Sequence, residues 1–139
     1  MQGATEERLI EYNKQTAARR LEWYRREKPN LRLGGGDAAQ QGYRLLLLKL
    51  GISESEAPIV RQDKGVVVFH STNFCPTLEA CRILGLDTRW VCRLYNEGAT
   101  DQLIRQIDPG LRFSRNYELI RPHSGYCEER IEYRQEGKV

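Results

Sequence analysis

Two β-branched runs separated by a short loop constrain the fold of this chain most. The segments 59–62 (IVRQ) and 66–70 (VVVFH) flank the loop 63–65 (DKG). Runs of this kind around a short glycine-containing loop predict a β-hairpin. The second run leads towards Cys75-Pro76, where we predict a helix N-terminus, because proline is well tolerated at a first helical position.

Helical periodicity and stop signals define the helices. Apolar residues recur at helical spacing from about residue 5 to 28, and Pro29 ends this pattern. Asp37 is a predicted N-cap for a second helix over 38–50, with Gly51 as its C-terminal stop. Two or three further helices are predicted between Pro76 and residue 107, with a break near Gly98.

The C-terminal part of the chain predicts a second hairpin. The segment 126–133 follows a turn at 122–125 and partly alternates between polar and apolar residues, as in a half-solvated antiparallel strand. The predicted fold class is α+β, with an antiparallel sheet of two hairpins covered by helices. At 139 residues the chain fits one domain, with the long helix 5–28 packed on a core of residues 37–134.

A cluster of basic residues lies near the end of the first helix and raises the question of a nucleic-acid partner. Its members are Arg19, Arg20, Arg25, Arg26 and Lys28, with Trp23 and Tyr24 among them. Such a patch is a signal of nucleic-acid binding. However, Glu22 and Glu27 dilute it, and no nucleic-acid motif accompanies it. We interpret it as a solvated helix face with cations near its C-terminus, and we expect no nucleic-acid partner.

The remaining composition indicates a chain that acts away from membranes. No apolar run approaches the length that a membrane-spanning helix needs. The N-terminus is polar and acidic, unlike a secretory signal. We therefore expect a cytoplasmic protein with a small-molecule ligand and no membrane partner. The sequence leaves a homodimer open.

Four cysteines are the candidates for chemistry, at the spacing C-x5-C-x10-C-x34-C. No C-x-x-C pair occurs, and disulfides are rare in a cytoplasmic protein. Cys75 is the predicted N-cap of a helix, where unpaired N–H groups and the helix dipole favour a thiolate. Cys81 falls with Leu78 and Leu84 on an apolar stripe, so we predict that it is buried in the core.

Three hypotheses about the cysteines remain open. In the first, Cys75 is a nucleophile whose base is His70 or His123, oriented by Asn73 or Glu79. In the second, three cysteines and a histidine bind zinc, with Cys75, Cys92 and Cys127 as the thiolate ligands. In the third, the chain is a non-catalytic ligand-binding or sensor domain whose cysteines are largely packed.

Several short motifs in the second half of the chain carry a resemblance to a known family. They are Cys75-Pro76, Glu79-Ala80, Leu84-Gly85-Leu86, Cys92, and Gly125 with Cys127. The stretch from about residue 74 to 133 resembles the L-2-amino-thiazoline-4-carboxylic acid hydrolase-like family. That family is itself similar in layout to ligand-binding domains of the 4-vinyl reductase type.

The resemblance implies an α+β ligand pocket near the cysteines. In the named enzyme the reaction is hydrolytic opening of a cyclic thiazoline, at a C–N bond that is not a peptide bond. The residues expected to act in catalysis are then Cys75, His70 and Glu79. The residues expected to contact the ligand are Asn73, Trp90, Cys92, Tyr126 and Cys127.

Overall fold

A computed structural model describes residues 2–134, which form helices and one antiparallel sheet. The α-helices within this range are α1 (Gln2–Glu27), α2 (Ala38–Leu50), α3 (Pro76–Leu84), α4 (Thr88–Tyr95) and α5 (Glu97–Ile104). The strands are β1 (Ile59–Asp63), β2 (Val66–Ser71), β3 (Leu111–Arg115) and β4 (Cys127–Tyr133). The α+β class predicted from the sequence is confirmed.

The sheet has the strand order β1-β2-β4-β3, and every neighbouring pair is antiparallel. The predicted first hairpin is present, with Asp63 opposite Val66. Gly65 has a φ of +75° in its turn, a conformation that glycine adopts without steric cost. β3 and β4 pair as the second hairpin, although the long connection 116–126 separates them.

Helix ends follow the capping residues of the sequence. The Asp37 side chain accepts a hydrogen bond from the Gln40 backbone N–H, and the Gln40 side chain accepts one from the Asp37 N–H. This reciprocal pair satisfies two N–H groups that the first turn of α2 leaves free. Cys75 occupies the N-cap position of α3, as predicted, with Pro76 following it. The predicted break in the later helical region falls at Asn96, between α4 and α5.

The two faces of the sheet differ because side chains alternate along each strand. Phe69 on β2 and Ile131 on β4 point towards α2 and are almost completely buried. The Phe69 ring meets the Tyr43 ring of α2 edge to face, with centroids 5.0 Å apart. The opposite face carries polar side chains such as Glu128 and Arg130. We call these the inner face and the outer face of the sheet.

The helices cover the inner face in two groups. α2 and α5 lie against the sheet, and α1 packs against α4 and α5. A second, smaller apolar cluster joins Leu9 of α1 to Cys81 of α3 and Val91 of α4. The Asn13 side chain links α1 to α5 by accepting a hydrogen bond from the Ala99 N–H at 3.1 Å. The C-terminal half of α1 shares the lining of one cavity with the end of β2 and the start of β4.

Within residues 2–134, no helix is both long enough and apolar enough to cross a membrane.

Candidate functional site

A cavity of about 620 Å³ lies where α1, the end of α2 and the inner face of the sheet meet. This volume is within the range of pockets that hold small molecules. The inner-face residues Phe69, Ser71 and Glu129 line it from the sheet. Segment 73–77, at the start of α3, forms another part of its wall.

The cavity lining is strongly cationic. Six basic side chains line it among the described residues: Arg19, Arg20, Arg26, Lys49, Arg115 and Arg121. In the same part of the chain, Glu129 is the one carboxylate in the lining. A concave surface with charges of one sign concentrates its field and attracts ligands of the opposite sign.

Helical periodicity brings the basic residues of α1 together. Thr16, Arg20 and Trp23 are three or four residues apart, and Arg19 and Arg26 flank the same stripe. The basic cluster of the sequence thereby divides into two groups. Arg25 is exposed and pairs with Glu22 at 2.9 Å, as expected of a solvated face, whereas three arginines line the cavity.

Glu129 forms an ion pair with Arg115 within the cavity wall. Its carboxylate lies 3.0 Å from an Arg115 nitrogen, and only 10% of each side chain is exposed. The Ser71 hydroxyl donates a further hydrogen bond to Glu129, and Arg115 donates one to Asn96. Burial acts to lower the pKa of the Arg115 guanidinium, but the Glu129 charge, together with Cys92, Tyr117 and the hydrogen bond to Glu129, more than offsets this effect and raises the pKa above its ordinary value. The single carboxylate of the lining is thus already neutralised.

The other five cations of the lining have no such partner among the residues that the structure describes. Within residues 2–134, none of the five remaining basic residues of the lining forms an ion pair with a carboxylate. Arg20 donates to the Thr100 hydroxyl at 2.7 Å, and the Lys49 ammonium lies 5.5 Å from the Trp23 ring centroid. Burial lowers the pKa of Lys49, and the charges of Arg20 and Arg19 lower it further. Arg20 and Lys49 are therefore partly desolvated, and each lies in the field of neighbouring arginines.

Three of the four cysteines line the same cavity: Cys75, Cys92 and Cys127. Cys75 and Cys127 are half-buried, whereas Cys92 is buried and its burial raises its pKa to about 12. Cys81 lies instead in the small apolar cluster with Leu9, where burial raises its pKa. The four thiols therefore divide into three on the cavity wall and one in the core.

The Cys127 sulfur is held by the residue at the centre of the β3–β4 connection. Sγ accepts hydrogen bonds from the Arg121 backbone N–H at 3.4 Å and from Arg121 Nε at 3.3 Å. The same guanidinium donates to the Asn73 carbonyl at 2.6 Å, and the Arg121 carbonyl accepts from the Thr88 hydroxyl at 2.7 Å. Arg121 is therefore fixed at both its backbone and its side chain. The Cys75 side chain makes no capping hydrogen bond to α3.

The histidine predicted as a base does not lie beside Cys75. His70 falls on the outer face, because its neighbours Phe69 and Ser71 occupy the inner one. Its ring stacks on Tyr126 with centroids 3.9 Å apart, and Nε2 is 3.0 Å from Glu128. His70 and Tyr126 thus contact each other on the outer face of the sheet. Neither residue is part of the cavity lining where the candidate cysteines lie. His123, the alternative base, lies 3.3 Å from an Asp87 carboxylate oxygen.

Two further predicted residues also lie away from the cavity. Glu79 is on the exposed side of α3, where Arg82 hydrogen-bonds to it and lowers its pKa. Trp90 packs against the small apolar cluster of Val91 and Cys81, as a core residue does. Of the predicted site residues within the described range, Asn73 and the three cysteines of the wall line the cavity.

The zinc centre of the second hypothesis is not formed in the part of the chain that the structure describes. Among residues 2–134, no group of three or more His, Cys, Asp or Glu side chains is arranged to hold a metal ion. The physical reason is the placement of the two histidines, since His70 and His123 are engaged by carboxylates elsewhere.

Comparison of the chain with protein-family profiles, with curated proteins and with solved structures yields no match. The resemblance to the thiazoline hydrolase-like family therefore stays a prediction.

The residues missed by sequence reasoning are the cations. Lys49, Arg115 and Arg121 come from three separate segments, so no local pattern joins them. The α1 arginines did carry a signal, because Arg19, Trp23 and Arg26 recur at helical spacing on one stripe. Only the position of that stripe across the cavity from the inner face of the sheet distinguishes a cavity wall from a solvated face.

Proposed function

We propose that this protein binds an anionic small molecule in the cavity between α1 and the inner face of the sheet. One observation carries the proposal: among the residues described, six cations but a single carboxylate line the cavity. Because Arg115 already neutralises that carboxylate, the remaining positive charge has no counterpart among those residues.

A bound anion would offset two unfavourable effects in the cavity, the lost hydration of the cations and their mutual repulsion. The cations Arg20 and Lys49 have lost part of their hydration, and each lies in the field of neighbouring arginines. A carboxylate or phosphate group would replace the lost water with charge-assisted hydrogen bonds, which are stronger than neutral ones. Arginine is well suited to this task, since its planar guanidinium donates two parallel hydrogen bonds to such groups.

The rest of the cavity suits the uncharged part of a ligand. Trp23 and Phe69 contribute aromatic surface to the lining, and Phe74 is 75% exposed at the start of α3. Ligand pockets commonly combine an apolar wall with a few fixed polar groups. The favoured ligand class is therefore an organic anion with a carboxylate or phosphate group and an apolar body.

This ligand class includes the substrate type that the family resemblance predicts, because a thiazoline carboxylate is an organic anion. Hydrolysis itself has less support than binding. In hydrolases a cysteine nucleophile is commonly activated by a base within hydrogen-bond reach, and both histidines, which lie within the described residues, are engaged on other surfaces. We therefore propose binding as the function and leave turnover outside the proposal.

Titration calorimetry with pyrophosphate and with citrate tests the proposal. We expect both anions to bind at low ionic strength, and the affinity to fall with added salt because the contacts are electrostatic. Arg20→Gln should weaken binding roughly 10- to 150-fold, since a hydrogen bond to a charged group contributes about 1.5–3 kcal/mol. Binding should also raise the midpoint of thermal unfolding.

The matched control is Arg25→Gln, which removes an equal charge from the same helix outside the cavity. Its affinity should stay within about twofold of the unmodified protein, because exposed charges contribute little. If both variants weaken binding equally, a diffuse surface attraction explains the result. If neither anion binds at low salt, the proposal is wrong.

A further inference from the structure

Cys127 differs from the other thiols of the cavity in the groups that face its sulfur. Two N–H donors of Arg121 point at Sγ, and one of them belongs to the charged guanidinium. The residue is half-buried and lines the cavity. Reactive cysteines occur in partly exposed, electropositive surroundings of this kind.

The position of Arg121 does not depend on a ligand. Its guanidinium is tied to the Asn73 carbonyl and its own carbonyl to the Thr88 hydroxyl, which belongs to a buried threonine. Two separate segments of the chain thereby fix the group that contacts the Cys127 sulfur. Pre-positioned donors of this kind stabilise developing negative charge without the cost of reorganisation.

The neighbouring thiols lack this arrangement. Cys92 is buried, and the rise of its pKa to about 12 keeps it protonated near neutral pH. Cys75 is half-buried like Cys127, but its side chain makes no capping hydrogen bond to the helix that follows it. Geometry thus separates two half-exposed thiols that the sequence pattern alone ranks in the opposite order.

We propose that Cys127 is the reactive thiol of the cavity and that it undergoes thiol–disulfide exchange with anionic low-molecular-weight disulfides. The inference rests on the proposed anion-binding function, because the cationic lining would select the disulfide by its charge. In the step, the Cys127 sulfur attacks one sulfur of the ligand disulfide and loses its proton to solvent. A new S–S bond joins protein and ligand, the old S–S bond breaks, and the second half of the ligand leaves as a thiolate with the electron pair.

A pair of charge-matched reagents tests the proposal. The rate of reaction with the dianionic 5,5′-dithiobis(2-nitrobenzoate) is compared with the rate for the neutral 4,4′-dithiodipyridine. The same ratio is measured on the chain unfolded in urea, which gives the intrinsic value for its thiols. We expect the folded protein to favour the anionic reagent by roughly tenfold or more over the unfolded chain, since a cleft of one sign raises association rates by at least that factor. We call this the excess, which is the rate ratio of the folded protein divided by that of the unfolded chain, and it should shrink as salt increases.

Mass spectrometry of the peptides then locates the modified sulfur in the unmodified protein. We expect the first thionitrobenzoate group on Cys127, and we expect Cys127→Ser to lose the fast reaction. Arg121→Gln should reduce the excess for the anionic reagent, whereas Arg25→Gln should leave it unchanged. Modification that maps first to Cys75 overturns the proposal, and the peptide map decides this even if Cys127→Ser fails to fold.

Pyrophosphate separates this inference from the proposed function. If pyrophosphate binds by calorimetry and slows the fast reaction, both stand. If it binds but the folded protein shows no excess for the anionic disulfide, only the thiol inference fails. If it does not bind and the excess is absent, both fail.

Discussion

The inner and outer faces of the sheet carry similar side chains in different surroundings. Glu129 on the inner face pairs with Arg115, and each of these side chains is 10% exposed. Its neighbour Glu128 on the outer face pairs with His70, and those side chains are 28% and 22% exposed. One residue of displacement along β4 thus changes a carboxylate from a buried element of a cavity into a half-solvated surface group.

The difference shows how strand alternation assigns chemistry. β2 places Ser71 in the cavity wall and His70 on the other side, although both precede the helix that Cys75 caps. Proximity in sequence to a candidate nucleophile therefore says little about proximity in space when a strand intervenes. The four predictions that follow test this contrast.

The largest effect is expected when the inner ion pair is broken. Glu129→Ala leaves the Arg115 guanidinium buried without its partner, which typically lowers the free energy of unfolding by about 3–5 kcal/mol. Glu128→Ala, its outer-face match, should lower it by less than about 1 kcal/mol. Urea unfolding of both variants measures the difference. Equal losses would contradict the assignment of the two faces.

A serine on each face gives a smaller, matched test. Ser71→Ala removes the hydroxyl that donates to the buried Glu129 carboxylate, and we expect a loss of about 1–3 kcal/mol in the free energy of unfolding. Ser114 lies on the outer face of β3 and is exposed, so Ser114→Ala should change stability by no more than about 0.5 kcal/mol. A neutral Ser71→Ala would show that Arg115 alone satisfies Glu129.

An alkaline effect should come from the helical wall that faces the inner side of the sheet. Burial raises the pKa of Cys92 from 9.0 to about 12, so the folded chain keeps a proton that the unfolded chain loses. The contribution of this thiol to the free energy of unfolding is fully present below pH 9 and is lost as the pH rises towards 12. Between pH 8 and pH 10 we expect a loss of about 1 kcal/mol by urea unfolding, at a limiting slope of about 1.4 kcal/mol per pH unit.

Cys92→Ala is the control for that measurement, since it removes the titrating group. The change between pH 8 and pH 10 should be smaller in this variant by about 1 kcal/mol. Tyr43 also has a raised pKa, of about 12, but the ordinary pKa of a tyrosine is 10.0, so most of its effect appears at higher pH. An unchanged pH dependence in Cys92→Ala would mean that Cys92 does not remain protonated through this range.

The smallest effect is expected on the outer face. His70→Gln should lower stability by only a few tenths of a kcal/mol, because its contact with the Glu128 carboxylate is partly solvated. It should leave pyrophosphate affinity unchanged, since His70 lies outside the cavity lining. Calorimetry with pyrophosphate checks this. A clear loss of affinity would mean that His70 contributes to the binding site.

The fold was largely predictable because its signals are local. The Asp63–Gly65 loop, the Asp37 cap and the Cys75-Pro76 start each depend on a few consecutive residues, and each lies where the pattern predicts. The predicted ends of the first helix differ from those of α1 by a few residues, as helix ends usually do.

The candidate site was predictable only in part, because it is assembled from distant segments. Its position at a helix start identified Cys75 as a candidate site residue, and it lines the cavity. For His70 and Glu79, the sequence did not show which face of the strand or helix carries the side chain, or how deeply it is buried. A strand residue needs a register and a helix residue needs a packing partner before its direction is known. The cations were missed for the same reason, since Arg115 and Arg121 join the α1 arginines only through tertiary packing.

The contact between Lys49 and the Trp23 ring has an optical consequence. Trp23 lines the cavity, whereas Trp90, the other tryptophan of the chain, packs in the apolar cluster near Cys81. In a Trp90→Phe variant, emission at tryptophan wavelengths would come from Trp23 alone. An anion that draws Lys49 away from the ring would then change the emission intensity, so Trp23 fluorescence would report occupancy of the cavity.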